Sequence, residues 1–422
     1  MKNIAYLIAF CLMFGDFYQA SSILTDLCNG KWPLSSFVNQ SRGSTSVKRV
    51  SPFMTDQPHP TAADTVKASP NALDVADQKM KLTGSVAPDK KDEAMSVEPQ
   101  SKVIDLGDNV SLEVVYIPPG KFKMGSTPEE KAWATSQEGG ATPGTDRESY
   151  EGEAPRAMEV KDGFWMGRTE VSVGQFRRFI EETGYVTDAE KPGGKTQVFD
   201  PNWEITAKAP PHPWISVEGK SWRDPNFGFP LRDVYPVVCV SWNDGKAFCE
   251  WLTEKERAAG RLPDGMVYRL PTEAEWAYAC RGGKESTYFW WGNDLKDGEG
   301  RLNISAVDFL PGRNKIWPLA NAPWSDGFAF VSPVDHYGEM GRNGFGLADM
   351  CGGVWEIVLD HFDPKGGHEE LYEVEENGKP VCRGGNYFDV PGNARCAVRL
   401  GLQGESYSDS RDGFRICLGV EK

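Results

Sequence analysis

The chain has 422 residues, of which 39% are apolar and 14 are Trp, and a net charge of -15. That is enough length for one large domain or two and enough apolar mass for a packed core. The acidic balance argues against a nucleic-acid partner, which needs clustered Lys and Arg, and 45 Gly with 29 Pro favour loop-rich architecture over a helical bundle.

In chain order, Met1-Lys2-Asn3 precedes an apolar run from Ile4 to Phe14 and a small-residue exit at Ala20. This reads as a secretory signal peptide over residues 1–20, too short for a membrane span. It implies a secreted, periplasmic or other exported compartment. Residues 21–102 are rich in Ser, Thr, Pro, Asp, Lys and Ala, with Trp32, Phe37 and Phe53 as aromatics. Such a segment buries too little apolar area to offset its ordering entropy, so it is expected to be a disordered tether.

A domain is expected over 103–422. Leu112–Ile117 is strand-like, Pro118-Pro119-Gly120 turns it, and Lys121–Met124 alternates like the second strand of a hairpin. Phe164–Gly167 and Val237–Val240 read as short strands. Three helices follow from caps and periodicity. The first has Ser172 and Gln175 as a capping box, an apolar stripe of Val173, Phe176, Phe179 and Ile180, and Gly184 at its end. The second begins around Ser241 to Asn243, with Ala247, Phe248, Trp251 and Leu252 facing inward. The third has Thr272 and Glu275 as a capping box and stops at Arg281-Gly282-Gly283. Between them lie Trp-, Gly- and Pro-rich connections at 125–160 and 186–235, long enough to imply binding or anchoring by metals and disulfides.

The last forty residues carry the most information. Arg383-Gly384-Gly385-Asn386 runs to Ala394-Arg395-Cys396-Ala397-Val398-Arg399 and then to Gly413-Phe414-Arg415-Ile416-Cys417. With Leu270-Pro271-Thr272-Glu273-Ala274-Glu275-Trp276 and Gly352-Gly353-Val354-Trp355-Glu356, this ordered set resembles the formylglycine-generating enzyme, or sulfatase-modifying factor, family. The resemblance runs from about Val103 to the C-terminus. It implies an irregular, loop-rich α+β fold related to the C-type-lectin fold. It also implies oxidation of a sulfatase cysteine to formylglycine by two copper-holding cysteines between the RGG and RCA segments.

Carried over residue by residue, the resemblance implies disulfides Cys249–Cys417 and Cys280–Cys396. Each would close a loop of over a hundred residues, worth ~3–5 kcal/mol in the chain-entropy model. It implies two structural calcium sites, one at Asn303, Ile304, Asp326 and Phe328, the other at Asp349, Gly352, Val354 and Glu356, where carboxylate, amide and carbonyl oxygens suit a hard cation. Asn303-Ile304-Ser305 is also a glycosylation sequon, as are Asn109-Val110-Ser111 and Asn39-Gln40-Ser41; metal and glycan exclude each other at Asn303.

The copper pair itself is missing. Asp389 stands where the first thiolate would fall, and the stretch to Arg395 is about three residues shorter than the family pattern. A hard carboxylate cannot serve Cu(I) as a thiolate does, so copper is not expected and no catalytic residue is assigned. Cys239, Cys351 and Cys382 remain. If the strands carrying or following Cys351 and Cys382 form a hairpin, the two could face each other as a disulfide, a displaced metal site or two buried thiols. The five His residues form no H-x-x-x-H pair, and no P-loop, dinucleotide fingerprint or nucleophile elbow occurs. The groove implied by the resemblance would involve Trp355, Asn386, Tyr387, Asp389, Asn393 and Arg399, and would take a peptide, protein or glycan. The sequence therefore favours a non-oxidising relative. The alternative is an oxidoreductase of the formylglycine-generating type, or another oxidation at a displaced metal site. Oligomeric state is open.

Overall fold

The computed structural model describes residues 99–140, 150, 152–203, 213–306, 322–363 and 378–422. All lie in one compact unit, Glu98–Lys422. The expected signal peptide, and the expected tether up to residue 98, fall outside the described residues, while Ser101 and Lys102, expected to close the tether, open the first strand.

The first sheet has five strands. β1 (Ser101–Gly107) and β2 (Val110–Ile117) form an antiparallel hairpin. β5 (Phe164–Gly167), β13 (Cys417–Val420) and β8 (Met266–Arg269) complete it in the order β1-β2-β5-β13-β8. The β1–β2 turn places Asp108 and Asn109 at φ 51° and 62°, the left-handed pair that a two-residue hairpin turn demands. The hairpin expected between Leu112–Ile117 and Lys121–Met124 is not formed. β3 (Gly120–Met124) pairs instead with β4 (Arg156–Val160) in a separate ribbon. Pro118 and Pro119 lack N–H groups and have fixed φ, so they carry the chain to another sheet and do not fold it back.

The second sheet has the order β11-β10-β9-β12. Its members are β9 (Trp355–His361), β10 (Pro380–Arg383), β11 (Arg399–Gly401) and β12 (Asp412–Phe414). All but one of the pairings are antiparallel; β12 runs parallel to β9. A two-stranded ribbon joins β6 (Thr196–Phe199) to β7 (Trp214–Val217).

The three expected helices form with their caps. In α2 (Val173–Thr183), Ser172 and Gln175 make the capping box and Gly184 ends the helix at φ 67°. α3 (Trp242–Ala258) is capped by Ser241 and Asp244, and α4 (Glu273–Arg281) by Thr272 and Glu275 with left-handed Gly282 behind it. Phe176, Phe179, Phe248 and Leu252 are buried together between α2, α3 and the first sheet, as the stripes require. A short α1 (Pro128–Ala134) begins at Thr127, whose hydroxyl accepts from the Glu130 N–H. Val237–Val240 is buried but is not a strand. Its Val237 and Cys239 N–H groups donate to the Val171 and Asp409 carbonyls, and Cys239 sits at φ 57°, which breaks any ladder. A short apolar run cannot by itself tell a strand from buried irregular chain.

Candidate functional site

The RGG segment is held by backbone proximity. Gly384 and Gly385 adopt φ 97° and 77°, and a Cβ on Gly385 would stand 2.5 Å from the Asn393 carbonyl oxygen. Only glycine fits there. Arg383, fully buried, donates to the carbonyls of Cys396 (3.0 Å) and Ala397 (3.1 Å), so RGG and RCA are stitched side by side.

Asp389 is fixed by amides. One carboxylate oxygen accepts from the Asn386 side chain (2.6 Å) and backbone N–H (3.1 Å), and the other from Asn393 Nδ2 (2.8 Å). Asn393 Oδ1 in turn accepts from the Tyr150 hydroxyl at 2.9 Å. The residue at the expected first-thiolate position is thus the hub of a turn. Of the six expected groove residues, the structure brings Asn386, Asp389 and Asn393 into this cluster and leaves Tyr387 buried beside it. Trp355 and Arg399 lie elsewhere in the core. Arg399 grips both Glu273 oxygens (2.7 and 2.8 Å) and the Asp363 carbonyl, a structural ion pair.

Next to the RGG segment lies an aromatic cluster. Phe199, Trp214, Phe227, Phe330 and Tyr387 form a small core, with Phe388 edge-on to Trp214 at 5.0 Å. Phe229, 42% exposed, packs at a tilt on its outer side against Phe227 and Phe330. The Arg411 guanidinium lies 4.1 Å over the Trp214 ring.

Behind RCA, Arg395 is buried with two carboxylates. Its guanidinium contacts Glu130 at 2.7 Å, Glu153 at 3.0 and 3.1 Å, and the Gly392 carbonyl at 2.7 Å. Burial pushes the Glu130 carboxyl up to about 7, against the pull of Arg395.

The expected calcium residues come together as two neighbouring clusters. In the first, Asp326 Oδ2 accepts from Asn303 Nδ2 and the Ile304 N–H, both at 3.0 Å, and Oδ1 accepts from the Phe328 N–H at 3.0 Å. Asn303 is buried and its Oδ1 has no hydrogen-bond partner. That burial rules out the glycosylation reading at Asn303. In the second, Asp349 is buried at φ 58° and accepts from the Asp335 N–H at 2.6 Å. Glu356 has both oxygens already taken by Arg415 (2.5 and 2.6 Å) and Trp276 Nε1 (2.7 Å).

A third carboxylate, which sequence reasoning missed, is Glu170. It is buried against Gly353, and its Oε2 has no hydrogen-bond partner. Burial first, then the Asp349 charge, hold its carboxyl well above the usual range. Burial likewise lifts Asp349 to about 6. Three buried acids against Arg415, with an orphaned carboxylate oxygen, fit a divalent cation. The only sequence signal was Thr169-Glu170-Val171, an acid wedged beside an apolar residue ahead of a helix cap.

The seven described cysteines are buried free thiols. Cys351 and Cys382 do not face each other: although β9 and β10 pair, Cys382 lies opposite Ile357 and Leu400. Cys351 precedes β9 and turns instead to Cys280 and Cys396, the three sulfurs lying within 4.8 Å of one another. Burial raises the Cys280 and Cys351 thiols well above their ordinary values. It opposes ionisation of Cys396 too, but hydrogen bonds from the other two thiols and the Arg281 and Arg383 charges outweigh it and bring that thiol well below.

The sulfatase-modifying factor enzyme 1-like domain model matches residues 106–419. The chain belongs to this family. Formylglycine-generating enzyme of Mus musculus is 35% identical over 286 residues, 63% of this chain and 68% of the relative. The Bos taurus enzyme is 34% identical over 326 residues, 72% and 74% of the two chains. "Inactive C-alpha-formylglycine-generating enzyme 2" of Bos taurus is 30% identical over 337 residues, 75% of this chain and 91% of the relative. Among solved structures, PvdO from Pseudomonas aeruginosa superimposes with a TM-score of 0.50 at 22% identity, covering 76% of this chain and 98% of PvdO. The fold is the mixed, loop-rich formylglycine-generating-enzyme type, related to the C-type-lectin fold. Among the described residues no helix is long and apolar enough to cross a membrane.

Proposed function

We propose that this chain is an exported, non-oxidising member of the formylglycine-generating-enzyme family that binds a peptide, protein or glycan beside its RGG segment. One observation carries the reading: Asp389 holds the first-thiolate position, and its carboxylate is saturated by Asn386 and Asn393. A carboxylate so engaged is neither soft nor free, and a Cu(I) bis-thiolate needs two soft donors. The similarity to relatives named as inactive supports the same reading.

The binding surface in this reading is the outer edge of the aromatic cluster at Phe229 and Phe388, an apolar wall beside polar groups of the Asn386–Asp389–Asn393 turn. Aromatic walls with a few placed polar groups are what ligand clefts use. Calcium is proposed at both acidic clusters as a structural ion. Asn303 and Asp326 would hold one, and Asp349 and Glu170 with backbone carbonyls of the Gly352–Val354 loop the other. When bound, it supplies positive charge beside these buried acids in addition to that of Arg415. A Cys249–Cys417 disulfide is proposed for protein made in an oxidising compartment.

The deciding experiment incubates the full chain with a sulfatase-type cysteine peptide, Cu(I) and oxygen, and reads the peptide by mass spectrometry. Unchanged thiol is the expected result. Conversion of the thiol to an aldehyde would overturn the reading.

A further inference from the structure

Three chain segments far apart in sequence bring one sulfur each to a single point. Cys280 closes α4, Cys351 lies in the turn ahead of β9, and Cys396 belongs to the RCA segment. Their Sγ atoms lie within 4.8 Å of one another, with Cys280 and Cys351 at 4.0 Å, and each residue is at most 1% exposed. The number is odd. A disulfide between any two, the expected Cys280–Cys396 included, strands the third thiol against the bridge in the core.

A metal accounts for three donors where a disulfide accounts for two. With metal–sulfur bonds of about 2.3 Å, a trigonal three-sulfur site separates its sulfurs by about 4.0 Å. The Cys280–Cys351 separation already has this value, and Cys396 needs only a side-chain adjustment of under an ångström. Thiolates select soft cations: Cu(I), zinc or iron–sulfur centres. Zinc asks for a fourth donor, and among the described residues no His, Asp or Glu joins the group.

We propose that Cys280, Cys351 and Cys396 form a buried trigonal site for one Cu(I) ion. Binding forms three Cu–S bonds to three thiolates and displaces to solvent whatever protons the sulfurs carry, leaving a complex of charge -2 with no change of oxidation state. Two cations lie beside it to balance that charge: Arg281, adjacent to Cys280 in the chain, and Arg383, whose Nη2 donates to the Cys396 carbonyl at 3.0 Å. The site is dry and closed to a peptide substrate, so its role is to pin α4, the Asp349–Gly353 loop and the RCA segment to each other. It shares no residue with the Asp389 turn, so its test is separate from that of the peptide-oxidation reading above.

The test refolds the full chain anaerobically with Cu(I) supplied from a competing chelator, then desalts it. One copper per chain should be retained, and X-ray absorption of the wild-type protein should show three sulfur neighbours and no nitrogen or oxygen. Cys351→Ser should hold copper at least tenfold more weakly. Cys382→Ser, also a buried thiol but outside the group, should bind as wild type does, which separates loss of the site from loss of the fold. Two-coordinate or mixed-ligand copper would overturn the proposal. So would undiminished binding by Cys351→Ser, or a Cys280–Cys396 disulfide in protein that takes up no copper.

Discussion

Glu130→Gln should stabilise this protein at alkaline pH, although it removes one partner of a buried ion pair. Two effects compete. Breaking a buried pair typically costs ~3–5 kcal/mol when it strands the other charge. Here Arg395 is not stranded, because Glu153 still meets it at 3.0 and 3.1 Å and the Gly392 carbonyl at 2.7 Å. Against that stands the cost of keeping Glu130 ionised in the core. Its carboxyl moves from 4.5 to about 7, chiefly through burial. At about 1.4 kcal/mol per pH unit, that shift is worth about 3 kcal/mol. The folded value is raised, so the native state holds the proton longer than the unfolded chain does. The contribution is fully present below pH 4.5 and is lost as pH rises through 7. Urea unfolding of the full chain at pH 5 and pH 8 measures it. Wild type should lose about 2–3 kcal/mol more than Glu130→Gln over that interval, with the variant the more stable at pH 8. A Glu130→Gln protein several kcal/mol weaker than wild type at pH 8 would show that the pair outweighs the desolvation, and would refute the argument.

Chelation should lower the melting temperature at pH 7.5, and calcium should restore it. Asp349→Asn or Glu170→Gln should blunt that response at one site and Asp326→Ala at the other; calcium-free protein indifferent to added calcium would count against both. In the metal-free protein, Asp349, raised from 3.8 to about 6 by burial, contributes stability at low pH that is lost as pH rises through 6. Arg399→Met should destabilise by about 2–3 kcal/mol, because it removes the two short hydrogen bonds to the buried Glu273 carboxylate and leaves it only Arg383 Nη1 at 3.3 Å; ligand binding by the surviving folded fraction should be unchanged, and a selective loss of binding would return Arg399 to the groove. Asp389→Ala should release Asn386 and Asn393 and cost about 1.5–3 kcal/mol by chemical denaturation. Peptide mapping without reduction should link Cys249 to Cys417 in protein made in an oxidising compartment, and free thiols at both would remove that bridge.

The chain's local signals sufficed for much of the fold. Ser172 with Gln175, Thr272 with Glu275, and Gly184 and Gly282 mark helix ends by chemistry that acts within three or four residues, so the helices they bound are legible without a partner element. The ordered RGG, RCA, GFR and GGVWE segments named the family, and Asp389 marked the position where the resemblance places the first copper thiolate. What tertiary structure alone decided is where distant groups meet. Pro118-Pro119 looks like a turn locally, yet the partner of β3 is β4, more than thirty residues on. Val237–Val240 looks like a strand, yet its N–H groups go to Val171 and Asp409. Glu170 beside Asp349, Glu130 and Glu153 around Arg395, and Cys351 against Cys280 and Cys396 join residues up to 265 positions apart. No periodicity or cap encodes such encounters; they follow from packing the whole core, which alone sets the distances on which charge, metal affinity and proton affinity depend.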